Sequence, residues 1–141
     1  MGGSASALDQ AQGALTCLVE LAGRTFAVEI GQAREARVFA DYTPVPLAPP
    51  HLIGMTNLRG AILPIIDLGM LLGLPARSGT ICALIVESHG VRVAVAVDRV
   101  LGVEALESVL AEPSRFERGH VRRGSDAVPV LDVVKIVESL A

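Results

Sequence analysis

The sequence predicts a mainly-β protein with short helices, built as two small antiparallel barrels around a shared apolar seam. Three observations lead there. Apolar runs of strand length recur along the 141 residues, separated by turn residues rather than by helical periods. The hydrophobic fraction is 51% but aromatics are only 3%, with no Trp, so the core must be Val, Leu, Ile and Ala, which suits pleated sheets more than large ligand cages. Landmarks of the first half also return in the second, at offsets of 64 to 67: Pro64-Ile-Ile-Asp67 as Pro129-Val-Leu-Asp132, Arg59-Gly60 as Arg123-Gly124, Glu20-x-x-Gly23 as Glu87-x-x-Gly90, and Cys17 as Cys82.

Each element has a local reason. Residues 1–14 are small and polar and are expected to be a disordered leader; they lack the basic start and apolar stretch of a signal peptide, and the bare Met1-Gly2…Ser6 acylation pattern is common in such leaders. From residue 15 to 141 one domain is expected. Leu15 to Leu21 reads as a strand, Ala22-Gly23-Arg24 as a turn, and Thr25 to Ile30 as an alternating strand with Phe26, Val28 and Ile30 on one face. The mixed pattern from Gly31 to Phe39 fits a strand or a helical turn. Thr43 to Pro50 carries four of the eight prolines, so it is extended connector. Asn57 to Gly60 reads as a tight turn and Ala61 to Ile66 as a buried strand, with Pro64 placing it at an edge or a bulge. Asp67, before Leu68, Leu71 and Leu72 at helical spacing, reads as an N-cap.

Past a linker at Pro75 to Gly79 the design starts again. Ile81 to Val86 is a strand, Ser88-His89-Gly90 a turn, and Val91 to Asp98 an alternating strand whose valines face inward while Arg92, Ala94, Ala96 and Asp98 take the other face. Ala127 to Leu131 is apolar, and Asp132 caps the closing helical pattern Val133, Ile136, Val137 and Leu140. The repeat therefore predicts two related halves, about 15–76 and 80–140, each a small barrel closed by a short helix and joined by an obligatory seam.

The chemistry-bearing residues exclude more than they suggest. Net charge is −3 with scattered basic residues, which disfavours nucleic acid as a partner. No apolar run is long enough to span a bilayer, so neither membrane insertion nor a secretory route is expected and the chain reads as cytoplasmic. Asp67, Asp98 and Asp132 end apolar strands, but duplication of Asp67 and Asp132 before helices fits capping, not a catalytic pair. Asp98 fits a strand end or turn. His51, His89 and His120 follow no ligand spacing, and the sequence contains no nucleophile elbow, phosphate loop or dinucleotide motif. The two cysteines read as buried free thiols. No catalytic residue, metal or cofactor is expected. Arg59 stands out as a guanidinium fork held on a turn between Asn57 and Gly60: either an interface anchor or an arginine tying its turn to a carboxylate in its own half.

Asn57-Leu-Arg-Gly60 followed by Ile62-Leu-Pro-Ile-Ile-Asp-Leu68 resembles the signature of the CheW domain, the coupling protein of bacterial chemotaxis. Thr43 to Pro50, Ile53 to Thr56, Val93 to Val103 and Val128 to Val137 extend the resemblance over about residues 15–140. It implies two SH3-like five-stranded barrels and a non-enzymatic adaptor joining the cytoplasmic tip of a transmembrane chemoreceptor to the regulatory domain of a CheA-type histidine kinase, in arrays at the membrane. Carried over residue by residue, it implies receptor contacts at Asn57, Arg59, Gly60, Ile81 and Val103. It also implies a kinase-facing edge at Ile30, Ala33 and Glu35. Relatives tend to show branched apolar residues at the positions of Ala33 and Ala36 and often a basic residue at Gly69, so this chain offers less anchor area to a kinase and reads alternatively as a scaffold that binds receptor without strong kinase coupling.

Overall fold

The structure is a computed structural model that describes residues 14–74, 80–109 and 112–140. The leader expected at 1–14 lies outside these residues except for Ala14, which opens the first strand; the Pro75 to Gly79 linker lies outside them too. In chain order the strands are β1 (Ala14–Leu21), β2 (Arg24–Glu29), β3 (Ala33–Phe39), β4 (Leu52–Leu58) and β5 (Ala61–Asp67), followed by helix α1 (Leu68–Leu71). Then come β6 (Ile81–Ser88), β7 (Val91–Val97), β8 (Arg99–Val109), β9 (Glu117–Arg123), β10 (Asp126–Leu131) and helix α2 (Val133–Glu138). No described helix is long and apolar enough to cross a membrane.

Two five-stranded sheets form, but they are not the two sequence halves. The first, ordered β1-β2-β10-β9-β8, closes into a barrel; the second is ordered β3-β6-β7-β5-β4. Each half therefore donates its leading hairpin to the sheet built by the other half's last three strands, correcting the expectation of one barrel per half. The exchange is symmetric. Parallel contacts join hairpin to host at Ala27 and Val130 in the first sheet and at Ala94 and Ile65 in the second. Paired glutamates fasten the hairpins: Glu20 takes both Arg99 Nε and Nη2 at 3.1 Å, and its repeat mate Glu87 takes Arg34 Nη2 at 3.5 Å. The motif Glu-x-x-Gly is thus the clasp of a hairpin to a strand of the other half.

This exchange explains why the hairpin strands are apolar on both faces. Cys17, Val19, Leu21, Phe26, Val28, Leu84, Val86, Val93, Val95 and Val97 fill one core between the sheets, closed by Leu68, Val133 and Ile136 of the helices. The alternate residues point into their own sheet: Leu18 and Ala27 into the first, Ala83, Ile85, Ala94 and Ala96 into the second. Ala94 and Ala96 are fully buried, so the face expected opposite the valines is a second interior, with alanines where the curled sheet leaves least room. Val91, at the strand's start, is 48% exposed and does not face inward.

The stretch at 33–39, open between strand and helical turn in the sequence, is a strand because β6 pairs along its whole length. Strands β4, β8 and β9 had no clear alternation; they are selected by pairing with their neighbours. The turn expected at 57–60 narrows to Arg59-Gly60, both at positive φ (51° and 87°), the two-residue hairpin geometry that matches strand twist. Pro64 needs no ladder donor, since its partner Met55 turns its backbone away from β5 and exchanges two 2.8 Å bonds with Thr43. Parallel pairing with β7 begins only at Ile65. Asp67 caps α1 by accepting from Met70 N at 3.3 Å, and Asp132 caps α2 by accepting from Lys135 N at 3.1 Å.

The sheets differ in how they close. In the first, Glu107, Ser108 and Val109 of β8 pair with Arg122, Val121 and His120 of β9. The corresponding stretch of the second sheet enters the run Thr43-Pro-Val-Pro46 and is linked to β4 by the Thr43–Met55 bridge and by Thr56 Oγ1, which donates to the Asp41 carbonyl at 2.8 Å. Prolines cannot donate to a longer ladder. Gly54 allows this approach: a Cβ there would lie 2.6 Å from the Thr43 carbonyl oxygen.

Candidate functional site

Two exposed surfaces gather most of the residues expected to bind partners. The first is the β4–β5 corner. Asn57 Oδ1 accepts the Gly60 N–H at 3.0 Å, bracing the turn from inside, while Arg59 projects from it with 58% of its side chain exposed. Its guanidinium reaches across to Glu35 of β3, Nη1 at 3.5 Å from Oε2 and Nη2 in close contact with Oε1. Arg37 Nε donates to the same carboxylate at 3.2 Å. Hydrogen bonding from Arg59, opposed by some desolvation and reinforced by both guanidinium charges, holds the Glu35 carboxyl below the usual carboxylate range. The alternative reading of Arg59, a tie to a carboxylate of its own half, is therefore realised, and that carboxylate belongs to the edge expected to face a kinase.

Beside this corner lies a groove of about 1000 Å³ between the segment leaving β3 and the β4–β5 hairpin. Asp41, Tyr42, Pro44, Met55, Asn57 and Ile62 line it, and Ile62 is 68% exposed. The groove is where a longer closing ladder would lie if the proline run were absent.

The second surface is an apolar ridge at one end of the seam. Ile30 N donates to Leu15 O at 3.2 Å, and Val103 lies opposite Cys17 on the neighbouring strand. Leu15, Ile30 and Val103 are 52, 39 and 53% exposed and stand on the face of the sheet that buries Cys17, Val19 and Leu21 further along. The intersheet core thus runs out into solvent as a ridge. Ile30 and Val103, expected at different contacts, share it. Leu15 was not singled out, although its place in the odd series Leu15, Cys17, Val19, Leu21 is a visible signal.

One expected contact fails. Ile81 is 1% exposed, packed with Phe39 inside the second sheet, and cannot touch a receptor; the run Ile-Cys-Ala-Leu-Ile is apolar on both faces, and Ile81 takes the inner one. Ala33 is half-buried against the seam core, and the charged residues of its strand are Arg34, Glu35 and Arg37.

Asp98, His51 and His89 have structural partners. Asp98 Oδ2 accepts the Ala22 N–H at 2.7 Å at a hairpin turn, and Asp98 N donates to Glu20 O at 2.9 Å. His51 Nε2 lies 3.2 Å from the Ser139 carbonyl at the end of α2, and His89 pairs with Ser88 at 3.0 Å. Both thiols are free, Cys17 buried and Cys82 half-buried. No group of three or more His, Cys, Asp or Glu side chains able to hold a metal occurs among the described residues.

A family model described as the CheW-like domain matches residues 16–141. Among curated relatives, the chain is 38% identical over 92 residues to a protein from Rhizobium meliloti named chemotaxis protein CheW, covering 64% of this chain and 56% of that one. It is 32% identical over 109 residues to the Thermotoga maritima protein of the same name, covering 72% of each. The chain thus spans little more than half the length of the first relative. In fold it is similar to the scaffolding protein TtCheW from Thermoanaerobacter tengcongensis, with a TM-score of 0.74 at 24% identity over 85% of this chain and 89% of that one.

Proposed function

The chain belongs to the CheW-like domain family, and from that premise we propose that it is a chemotaxis adaptor, a cytoplasmic scaffold that joins the tip of a chemoreceptor to the regulatory domain of a CheA-type histidine kinase. The observation that carries this reading is the placement of two exposed surfaces on one intertwined body: the apolar ridge of Leu15, Ile30 and Val103, and the Arg59–Glu35 corner. An apolar ridge ending a tightly packed seam suits a helical partner with an apolar stripe. A corner holding a guanidinium fork in fixed geometry suits a polar anchor for a protein partner.

The experiment is co-sedimentation of the chain with receptor-bearing vesicles, with and without the kinase. Capture by both, lost for the receptor in Val103→Glu, supports the adaptor; capture by neither removes it. A second reading, a scaffold that binds receptor but couples weakly, is favoured by the small side chains Ala33 and Ala36 on the kinase-facing strand. Receptor binding without any change in kinase phosphorylation rate would select it.

A further inference from the structure

The mouth of the first barrel holds a polar pocket that belongs to neither exposed surface. Its volume is about 260 Å³, and Thr16, Glu29, Ser108, Arg118 and His120 line it beside the buried Val121 and Val130. Internal symmetry shows that the fold does not require these polar groups. The parallel contacts Ala27–Val130 and Ala94–Ile65 are equivalent, so the pair Thr16–Glu29 of the first sheet matches Ala83–Ala96 of the second. His120 lies opposite Pro129 as Met55 lies opposite Pro64, which in turn matches Arg118 with Ile53. Two alanines, an isoleucine and a methionine thus occupy the positions that carry a hydroxyl, a carboxylate, a guanidinium and an imidazole in the first barrel. We propose that the pocket binds a small zwitterion, of the class of a free α-amino acid with a short aliphatic side chain.

The charges select that class. Arg118 Nη1 lies 2.8 Å from Glu29 Oε1, and both side chains stay about half-exposed. The pair reaches over β10, which lies between β2 and β9. It engages one carboxylate oxygen and one guanidinium nitrogen, leaving the second oxygen and further N–H donors for a ligand. An α-amino acid carries its ammonium and carboxylate one carbon apart, so it can lie head to tail along the pair, ammonium on Glu29 and carboxylate on Arg118. A simple anion is repelled there by Glu29, and a simple amine by Arg118. The Thr16 hydroxyl donates to the Glu104 carbonyl at 3.0 Å, which leaves its lone pairs to accept from the ammonium. His120 Nδ1 is buried with no hydrogen-bond partner among the described residues, so the wall is one polar contact short. Val121 and Val130 offer apolar contact to an aliphatic side chain, and the volume limits that chain to a few carbons. Leu15 and Ile30 of the ridge alternate with Thr16 and Glu29 and take the other face of the same two strands, so ridge and pocket are separate surfaces.

The test is an amide NMR titration of the isotope-labelled full chain with L-alanine and L-valine, using acetate and ethylamine as single-charge probes. Saturable shifts are expected at Thr16, Glu29, Arg118, Gly119 and His120 with both amino acids, and binding about tenfold weaker with either single-charge probe. Glu29→Gln and Arg118→Gln should each weaken L-alanine binding about tenfold, whereas Arg122→Gln on the same strand as Arg118 should not. Because the ion pair is exposed, the melting temperature should stay nearly unchanged in all three. The double variant Thr16→Ala/Glu29→Ala copies the Ala83–Ala96 pair of the second sheet, so it should fold and lose binding. No saturable shift with either amino acid, shifts confined to residues away from the barrel mouth, acetate bound as tightly as L-alanine, or a folded double variant that binds like wild type would each overturn the proposal.

Discussion

Arg59 and Glu35, 24 residues apart, form an ion pair that links the β4–β5 turn to the outer strand β3. One residue was expected to face a receptor and the other a kinase, so the pair joins the two expected surfaces. Both side chains reach solvent, and Glu35 keeps Arg37 if Arg59 is removed. Arg59→Ala should therefore leave the melting curve nearly unmoved. If the guanidinium anchors a partner, receptor co-sedimentation should still weaken about thirtyfold, with Arg59→Glu worse and Arg59→Lys a partial rescue. A well-folded Arg59→Glu variant that binds normally would remove the corner from the contact.

The same pair sets a pH dependence. Hydrogen bonds from Arg59 to Glu35 and from Arg92 to Glu87 hold both carboxyls below the ordinary carboxylate range. A lowered folded-state value contributes stability above the unfolded carboxylate value, and that contribution is lost as pH falls through the folded value. Chemical denaturation of wild type and Glu87→Gln should accordingly differ at neutral pH, and the difference should vanish in acid below the carboxylate range. A gap that persists unchanged into strong acid would assign it to packing instead of charge.

Because each half lends its hairpin to the other's sheet, residues 1–78 alone would leave β1 and β2 without β8 and β10 and leave β5 without β7. Each unburied Val or Leu of the seam costs about 1.5–3 kcal/mol. That fragment should show a poorly dispersed amide spectrum and no cooperative melting, and mixing with residues 79–141 should restore both. A dispersed, cooperatively melting 1–78 would contradict the exchanged topology.

Asp67 is buried at 1% exposure, while Asp132 is half-buried, though both cap helices in the same way. Replacing each by alanine should lower stability by about 0.5–2 kcal/mol, with Asp67 at the upper end because its lost acceptor leaves buried donors behind. Urea unfolding measures both. Asparagine at either position should recover most of the loss, since a cap needs an oxygen and not a charge.

Gly54→Ala tests the Thr43–Met55 bridge. The added methyl would meet the Thr43 carbonyl oxygen at 2.6 Å, so the segment beside β4 must move away. The expected cost is about 1–3 kcal/mol, and amide exchange should quicken at Thr43 and Met55 before it quickens in the seam. Unchanged protection at these two amides would show that the backbone accommodates the methyl elsewhere.

What the sequence determined by itself was local. Gly23, Gly60 and Gly90 marked hairpin turns, Asp67 and Asp132 marked caps, and the apolar runs marked hairpin strands, because each depends on residues only a few places away. The repeat also exposed the duplication, and the motif around Arg59 named the family. Only the tertiary structure decided which hairpin completes which sheet. Runs such as Ile-Cys-Ala-Leu-Ile-Val are apolar on both faces, and period-2 alternation cannot say whether the face toward the seam is the valine or the alanine set, nor which strand will lie alongside. Ile81 went inward and Leu15 outward for that reason. The Arg59–Glu35 pair and the open closure at Thr43–Met55 likewise depend on where β3 and β4 end in space, which long-range pairing fixes and local spacing does not.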